Sequence, residues 1–155
     1  MTTLSSHQNW TADSLFNALA HVKLGGSVCL YTLEKCEELA PLINKVNRLK
    51  AEKNAVLLVH SYVSPEILYT VADYTGDSYE LSKVARDSDA ETIVFAAVKF
   101  MAETAKLLSP DKTVLVPSKL NGCSLADSIT GEQVKELRIQ YPDFTFMCYI
   151  NTTAD

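Results

Sequence analysis

The chain of 155 residues has the length of one ordinary domain, with 47% hydrophobic and 21% charged residues, and it carries a net charge of −5. This composition is typical of a globular protein, and the acidic balance argues against a nucleic-acid-binding surface, which needs a basic excess. We expect no membrane association, because no apolar run approaches the roughly 20 residues that span a bilayer. The start of the chain lacks the pattern of a signal peptide, and the four cysteines lack paired spacing, so we expect a reducing, cytoplasmic location.

The first 54 residues predict helices. The stretch TADSLFNALAHVKL has apolar residues at helical spacing and stops at Gly25–Gly26, a normal helix end. The stretch TLEKCEELAPLINKVNRLKAEK repeats the pattern with Thr32 as its N-cap, and Pro41 is expected to break or restart this second helix.

After residue 54 the pattern changes to short runs rich in β-branched and aromatic residues, which predict four strands: AVLLVH, ETIVFAA, TVLVP and FTFMCYI. Helical patterns accompany them at residues 64–73, 78–88, 100–108 and 130–140. Strands that are apolar throughout and alternate with helices indicate a parallel sheet covered on both faces. The sequence therefore predicts an α/β fold, in which a parallel four-stranded sheet lies between two helical layers and follows a helical extension.

Residues with usable chemistry follow the carboxyl ends of all four predicted strands. In an open α/β sheet, ligands bind beyond this edge. We therefore expect one site formed by residues at the strand ends: His60, Tyr62, Lys99, the loop 118–123, Tyr149 and Asn151.

Each of these residues also has a purely structural interpretation. His60 could transfer a proton near neutral pH or could simply be hydrogen-bonded at a strand end, and Tyr62 alone is more typical of packing. Asp77–Ser78 starts a predicted helix, where backbone amides bind anions, but such residues are more often only caps. Glu103 and Lys106 are three residues apart on one helix, the spacing of a surface ion pair.

The cysteines differ in their surroundings. Cys29 and Cys36 are expected to pack as small apolar groups in the helical prefix, and Cys148 to be buried and inert in a strand. Cys123 lies in a small, polar loop. A zinc site, an iron–sulfur cluster and a nucleophile pair with His60 all stay open for this thiol, but each needs ligands or an orienting group that the neighbouring residues do not supply.

Four segments carry a family resemblance: HSYVSPEI, the stretch from ADYTGDSYELS to TVLVPS, GCSLAD, and YPDFTFMCYINTTA. From about residue 50 onwards they resemble the amino-terminal part of quinolinate synthase. The run FMAETAKLLSPDKTVLVP followed by GCSLAD is highly specific, whereas residues 1–50 are similar to the variable N-terminal extension of that family.

The resemblance implies an enzyme that condenses iminoaspartate with dihydroxyacetone phosphate, losing water and phosphate, to form quinolinate for NAD biosynthesis. L-Aspartate oxidase would supply the iminoaspartate. The resemblance also implies a four-iron four-sulfur cluster held by three cysteines, which leaves one iron open as a Lewis acid. By its position in GCSLAD, Cys123 would be one of these three ligands.

Matching segments imply roles for further residues. His60 and Tyr62 match a histidine and a tyrosine that face the substrate, which makes them the expected catalytic residues, and His60 would also bind substrate. Asp77–Ser78 matches a GDS segment whose serine contacts a substrate carboxylate. Tyr149 and Asn151 match a Y-x-N segment that lines the pocket.

The family resemblance also implies a division of the chain, because the family fold has three similar α/β units around a pseudo-threefold axis. We expect a helical extension at 1–54, the first unit at 55–141 and the opening strand of a second unit at 142–155. Family chains are about twice this length, in line with two further units of ordinary size. We therefore expect a truncated product, a fragment or the first part of a split enzyme. The alternative is an inactive α/β module that binds a dicarboxylate or triose phosphate, or that pairs with a partner chain.

Overall fold

The computed structural model describes residues 2–3, 8–20, 22–24, 27–28 and 31–154. The predicted helix end at Gly25–Gly26 and the predicted packing of Cys29 lie outside these residues. The described strands are β1 (Thr2–Thr3), β2 (Lys23–Leu24), β3 (Ser27–Val28), β4 (Ala55–His60), β5 (Tyr74–Gly76), β6 (Thr92–Ala96) and β7 (Thr113–Leu115). The helices are α1 (Ala12–Leu19), α2 (Leu33–Glu52), α3 (Pro65–Leu68), α4 (Ser78–Asp87), α5 (Lys99–Leu108) and α6 (Gly131–Gln140), with a short 3-10 helix at Ala126–Ser128.

Five of the described strands form one sheet in the order β1-β5-β4-β6-β7, and β2 pairs with β3 in a separate hairpin. Strand β4 pairs in parallel with β5 on one side and with β6 on the other, and β6 pairs in parallel with β7. Strand β1 runs antiparallel to β5 at the edge. The predicted parallel four-stranded sheet is therefore confirmed, with β1 as an additional edge strand.

The identity of one parallel strand differs from the prediction. Residues 144–150 form no strand, and β5 takes the fourth position in the sheet, while α3 keeps only the first part of the helix predicted at 64–73. Asp73 ties the start of β5 to β4, because its backbone N–H donates to the carbonyl of Leu57 at 2.9 Å and its Oδ2 accepts from the Leu57 amide at 2.7 Å. The Asp73 side chain thus adds a hydrogen bond to the pairing of β5 with β4. The three residues of β5 are too few to show the hydrophobic pattern of a strand.

Helices cover both faces of the sheet, which confirms the three-layer α/β/α arrangement. On one face α1 and α2 pack against β4 through a cluster that includes Leu15, Leu19, Cys36, Ile43, Leu57 and Val59. On the other face α4 and α5 pack against β4 and β6 through Leu58, Leu81, Ala85, Phe95, Phe100 and Met101. The helices that precede the parallel strands in sequence therefore share the hydrophobic core of the sheet.

The helical prefix follows the prediction in part. Helix α2 begins after Thr32, whose side chain accepts from the Lys35 amide, and Cys36 is buried as expected, which raises the pKa of its thiol. Helix α1 ends at Leu19, and the following residues form the hairpin of β2 and β3 instead of continuing the helix. Pro41 lies inside α2 without ending it, so the expected break is absent, and buried residues stand on both sides of it: Cys36 and Ala40 before it and Ile43 after it. None of the described helices is both long and apolar enough to cross a membrane.

A buried ion pair joins α2 to the loop before β5. The Nζ of Lys50 donates to the carbonyl of Val71 at 2.5 Å and to Oδ1 of Asp73 at 2.8 Å, and the Lys50 side chain is only 7% exposed. Since Oδ2 of Asp73 already accepts from the Leu57 amide, this carboxylate connects α2 with β4. The pair therefore fixes both the helix and the first strand pairing of the sheet.

We expect Lys50→Ala to destabilise the fold by about 3 kcal/mol. The substitution removes the ammonium group that hydrogen-bonds the Asp73 carboxylate and the Val71 carbonyl, at a site where little water can replace it. Lys53→Ala, at the exposed end of the same helix, is the matched control and should change the free energy of unfolding by less than about 0.5 kcal/mol. Urea unfolding measures both. Equal stability of the two variants would contradict the role assigned to the ion pair.

Candidate functional site

The carboxyl edge of the parallel sheet brings the sequence-predicted residues to one side of the molecule. His60 ends β4, Asp77 and Ser78 follow β5 directly, and Lys99 opens α5 immediately after β6. Cys123 follows β7 in a loop that reaches back towards the end of β6. The topology therefore agrees with the expectation that these residues share one edge of the sheet.

His60 and Tyr62 form the centre of this edge. Their ring centroids lie 4.1 Å apart at an interplanar angle of 32°, and the Tyr62 amide points at Nδ1 of His60 at 3.4 Å. The Tyr62 hydroxyl oxygen accepts the Val98 amide at 3.0 Å, at the start of α5. Tyr62 thus reaches from the end of β4 to the end of β6. It is 55% exposed, whereas a tyrosine that only packs in the core would be mostly buried.

Two features of the surroundings of His60 shift the pKa of its imidazole in opposite directions. Partial burial lowers the pKa of the imidazole below its ordinary value of 6.5, and the negative charge of Asp77 raises it by a smaller amount. The net effect favours the neutral imidazole near pH 7. A neutral imidazole at a half-buried strand end can accept or donate a proton, which is what acid–base chemistry needs.

The start of α4 supplies both a cap and a contact with the end of the chain. Asp77 caps the helix, since its Oδ1 accepts from the Glu80 amide at 2.8 Å. Ser78 is used differently: its hydroxyl donates to Oδ1 of Asn151 at 3.3 Å. The structural interpretation is therefore confirmed for Asp77, while Ser78 brings Asn151, 73 residues later in sequence, to the same edge.

Cys123 lies in a loop that is pinned to β6. The amide of Lys99 donates to the carbonyl of Asn121 at 2.8 Å, and the Asn121 side-chain amide donates to the carbonyl of Ala97 at 3.2 Å. The carbonyl of Cys123 accepts from the Asp127 amide at 2.9 Å. Cys123 is half-buried and packs against the hydrophobic core, so its surroundings are less polar than its sequence neighbours suggested.

The prediction for Cys148 is wrong, because this cysteine is exposed and lies outside any strand. Within the described part of the chain, no three side chains of His, Cys, Asp or Glu come together in a group that could hold a metal ion. Cys123 therefore offers one thiol for a metal centre. A complete ligand set would need further residues from outside the described ones.

Tyr149 is placed differently from the other predicted site residues. Its side chain is 73% exposed and lines a groove of about 1060 Å³ between α6 and residues 146–154. Asn151 lines the same groove and also contacts Ser78, so it connects the groove to the sheet edge.

Glu103 was misassigned from the sequence. Its carboxylate pairs with Lys99 at 2.8 Å, one helical turn earlier, and it also accepts from the Ala154 amide at 3.1 Å. Lys106 instead donates to the carbonyls of Pro110 and Lys112, where it closes the end of α5. The spacing of four between Lys99 and Glu103 was visible in the sequence, but the contact with Ala154 was not.

We expect Asp77→Asn to lower the pKa of His60 further, because the substitution removes the charge that opposes the effect of burial but keeps an oxygen to cap α4. Since the unfolded chain binds a proton more readily at this position, the His60 contribution to stability is complete above about pH 6.5 and falls as the pH drops below it. NMR titration of the His60 ring measures the pKa. Asp87→Asn, at an exposed pair with Arg86, is the control that should leave it unchanged, and a rise in Asp77→Asn would contradict the assignment.

Comparison with known proteins identifies the family of this chain. The family model described as "Quinolinate synthetase A protein" matches residues 44–155. A quinolinate synthase of Caulobacter vibrioides (strain NA1000 / CB15N) is 53% identical over 116 residues, which are 75% of this chain and 32% of the relative. The quinolinate synthase of Aquifex aeolicus is 52% identical over 119 residues, 77% of this chain and 37% of the relative, and that of Sulfurihydrogenibium sp. is 54% identical over 114 residues.

The alignments share two properties. They take in about three quarters of this chain, and they span about a third of the length of these curated relatives. The family match begins inside α2 and continues to the end of the chain, in agreement with the resemblance from about residue 50. The chain therefore belongs to the quinolinate synthetase A family.

Proposed function

We propose that the chain forms the amino-terminal part of a quinolinate synthase, which condenses iminoaspartate with dihydroxyacetone phosphate to quinolinate in de novo NAD biosynthesis. The observation that supports this proposal is the hydrogen bond of Ser78 with Asn151 after β5, at the sheet edge where β4 ends with His60, in a chain of this family. The aligned part spans about a third of the relatives, so the activity belongs to a larger assembly of which this edge is one wall.

His60 and Tyr62 are the proposed catalytic residues. Burial keeps the His60 imidazole neutral near pH 7, so it can donate its ring proton to the hydroxyl group that leaves as water and regain a proton from the condensing substrates. The Tyr62 hydroxyl, held by the Val98 amide beside the imidazole, orients a substrate oxygen.

Substrate carboxylates are the proposed ligands of the neighbouring polar groups. The start of α4 presents the Ser78 hydroxyl, with Asp77 as its cap, and Asn151 lies beside it. Tyr149 extends this wall along the groove at α6. Hydroxyl and amide groups at a helix start favour anionic ligands, since the helix dipole and the free amides are positive there.

Cys123 is the proposed ligand for one iron of a four-iron four-sulfur cluster. A half-buried thiol in a pinned loop suits this role, whereas the buried Cys36 does not. When bound, such a cluster with an open iron supplies a Lewis acid for a substrate oxygen. Since no three possible ligands come together among the described residues, a partner polypeptide or a further stretch of chain would complete the site.

The lack of a three-ligand group among the described residues favours an alternative. In it, this chain is half of a split enzyme or an inactive α/β module that binds a dicarboxylate or triose phosphate. The coding sequence downstream of codon 155 separates the two proposals. Two further cysteines encoded there, in either frame, support the enzyme, and unrelated sequence favours the module. L-Aspartate oxidase, as the source of iminoaspartate, and a cytoplasmic location belong to the enzyme proposal.

We also propose that residues 142–155 open a second unit, as the family resemblance implies, with 1–54 as the extension and 55–141 as the first unit. Large apolar side chains in this part are exposed: Phe144, Met147, Tyr149 and Ile150. Helix α6 has no buried residue among its ten. Apolar surface of this extent is typical of a face that another part of a protein covers.

The cluster proposal is tested by anaerobic reconstitution of the chain with iron and sulfide, alone and with a polypeptide covering the part of the Aquifex aeolicus relative that follows the aligned segment. We expect a stable cluster and quinolinate formation only in the mixture, since one thiolate does not hold a cubane cluster. Cys123→Ser should abolish both, and the exposed Cys148→Ser is the matched control that should retain them. A stoichiometric four-iron cluster with turnover in the chain alone would contradict the proposal.

The second-unit proposal is tested by amide hydrogen exchange in a dilute sample. We expect residues 144–149 to exchange rapidly in the isolated chain, because they have no strand partner there, and to become protected at least tenfold when the complementing polypeptide is added. Strong protection of these amides in the isolated, monomeric chain would count against the proposed division.

A further inference from the structure

Residues 151–154, here called the edge segment, contact the fold after a stretch of chain that is mostly exposed. From 144 to 150, only Phe146 is half-buried, whereas Asn151, Thr152 and Thr153 are half-buried in succession. A turn precedes them, in which the Thr152 amide donates to the carbonyl of Ile150 at 2.9 Å. The chain therefore turns at this point and lies down on the sheet edge.

Two side chains from different helices hold the edge segment. The hydroxyl of Ser78, at the start of α4, donates to Oδ1 of Asn151 at 3.3 Å. The carboxylate of Glu103, in the second turn of α5, accepts from the Ala154 amide at 3.1 Å. The segment is thus bound at both of its ends.

The sheet order shows where the two anchoring residues, Ser78 and Glu103, lie relative to the candidate site. Helix α4 follows β5 and helix α5 follows β6, and β4 lies between β5 and β6 in the sheet. A segment tied to the starts of both helices therefore lies at the carboxyl edge of the sheet, the edge at which β4 ends with His60.

Glu103 is well suited to anchor a backbone amide. Its Oε1 pairs with Nζ of Lys99 at 2.8 Å, which leaves Oε2 directed at the Ala154 N–H, and the side chain is only 22% exposed. A hydrogen bond from an amide to a carboxylate is stronger than one to a neutral acceptor, particularly where little water competes. The Lys99 ammonium also limits the rotamers of the carboxylate, so the acceptor is already in position.

We propose that Glu103 is a positioning residue, which holds the edge segment at the carboxyl edge of the sheet so that Asn151 stays beside Ser78 at the candidate site. The anchoring itself depends only on the contacts above. The consequence for substrate binding rests on the proposed function, in which Asn151 contacts a substrate carboxylate.

The experiment compares amide exchange, measured by NMR, in the wild-type chain, Glu103→Ala, Glu103→Gln and Glu52→Ala. Glu103→Ala should speed exchange at residues 151–154 about tenfold relative to the amides of β6, because it removes a charge-assisted acceptor. Glu103→Gln should largely restore protection, since its amide oxygen can accept the same N–H. Glu52→Ala removes an ion pair of the same spacing, with Arg48 on α2, and should leave the edge segment unchanged.

The glutamine variant separates positioning from a merely structural ion pair. If Glu103 acted only through Lys99, glutamine would behave like alanine, and that result would overturn the proposal. Unchanged exchange in Glu103→Ala, or an increase that equals the increase in β6, would also overturn it. These outcomes are read from the chain without substrate or cluster, so they stand or fall separately from the proposed function.

Discussion

Parallel pairing of β4 with β5 on one side and β6 on the other is the constraint on which the candidate site depends. Because parallel strands end at the same edge, the pairing gathers His60, Ser78 and Lys99 from three separate stretches of the chain. The pairing is itself held by Asp73, whose carboxylate joins the Leu57 amide to the ammonium of Lys50. Removal of this carboxylate would therefore disturb the register of the sheet edge as well as the stability of the core.

Much of this fold could be predicted because its signals are local. Apolar runs identified β4, β6 and β7, and the caps at Thr32 and Asp77 were recognisable from single residues at helix starts. Strand β5 was missed because three half-buried residues give no hydrophobic pattern, and its pairing depends on the side chain of Asp73. The opposite error occurred at 144–150, where a strand-like pattern has no sheet beside it in the described chain. An apolar pattern predicts a strand only where a partner strand is available.

The candidate site could be predicted as a location but not as a set of contacts. Strand ends identified His60, Tyr62 and the Cys123 loop, since the topology alone brings them to one edge. The contacts of Glu103 with Ala154 and of Ser78 with Asn151 join residues 51 and 73 positions apart, and no spacing rule reaches that far. Burial of Cys123 likewise depends on the core beneath its loop, which the polar residues around it conceal. What sequence leaves undetermined here is tertiary contact between elements.

The hydrogen bonds that Tyr62 and His60 already make determine which of their atoms are left to hydrogen-bond a ligand. The phenol oxygen of Tyr62 accepts the Val98 amide, so its own proton is directed outward. The Tyr62 amide points at Nδ1 of His60, which makes Nδ1 the acceptor and places the proton of the neutral ring on Nε2. Two adjacent side chains therefore present protons rather than lone pairs. Such a polarity matches ligand oxygens and disfavours ammonium groups, so this pair of residues selects ligands by hydrogen-bond direction.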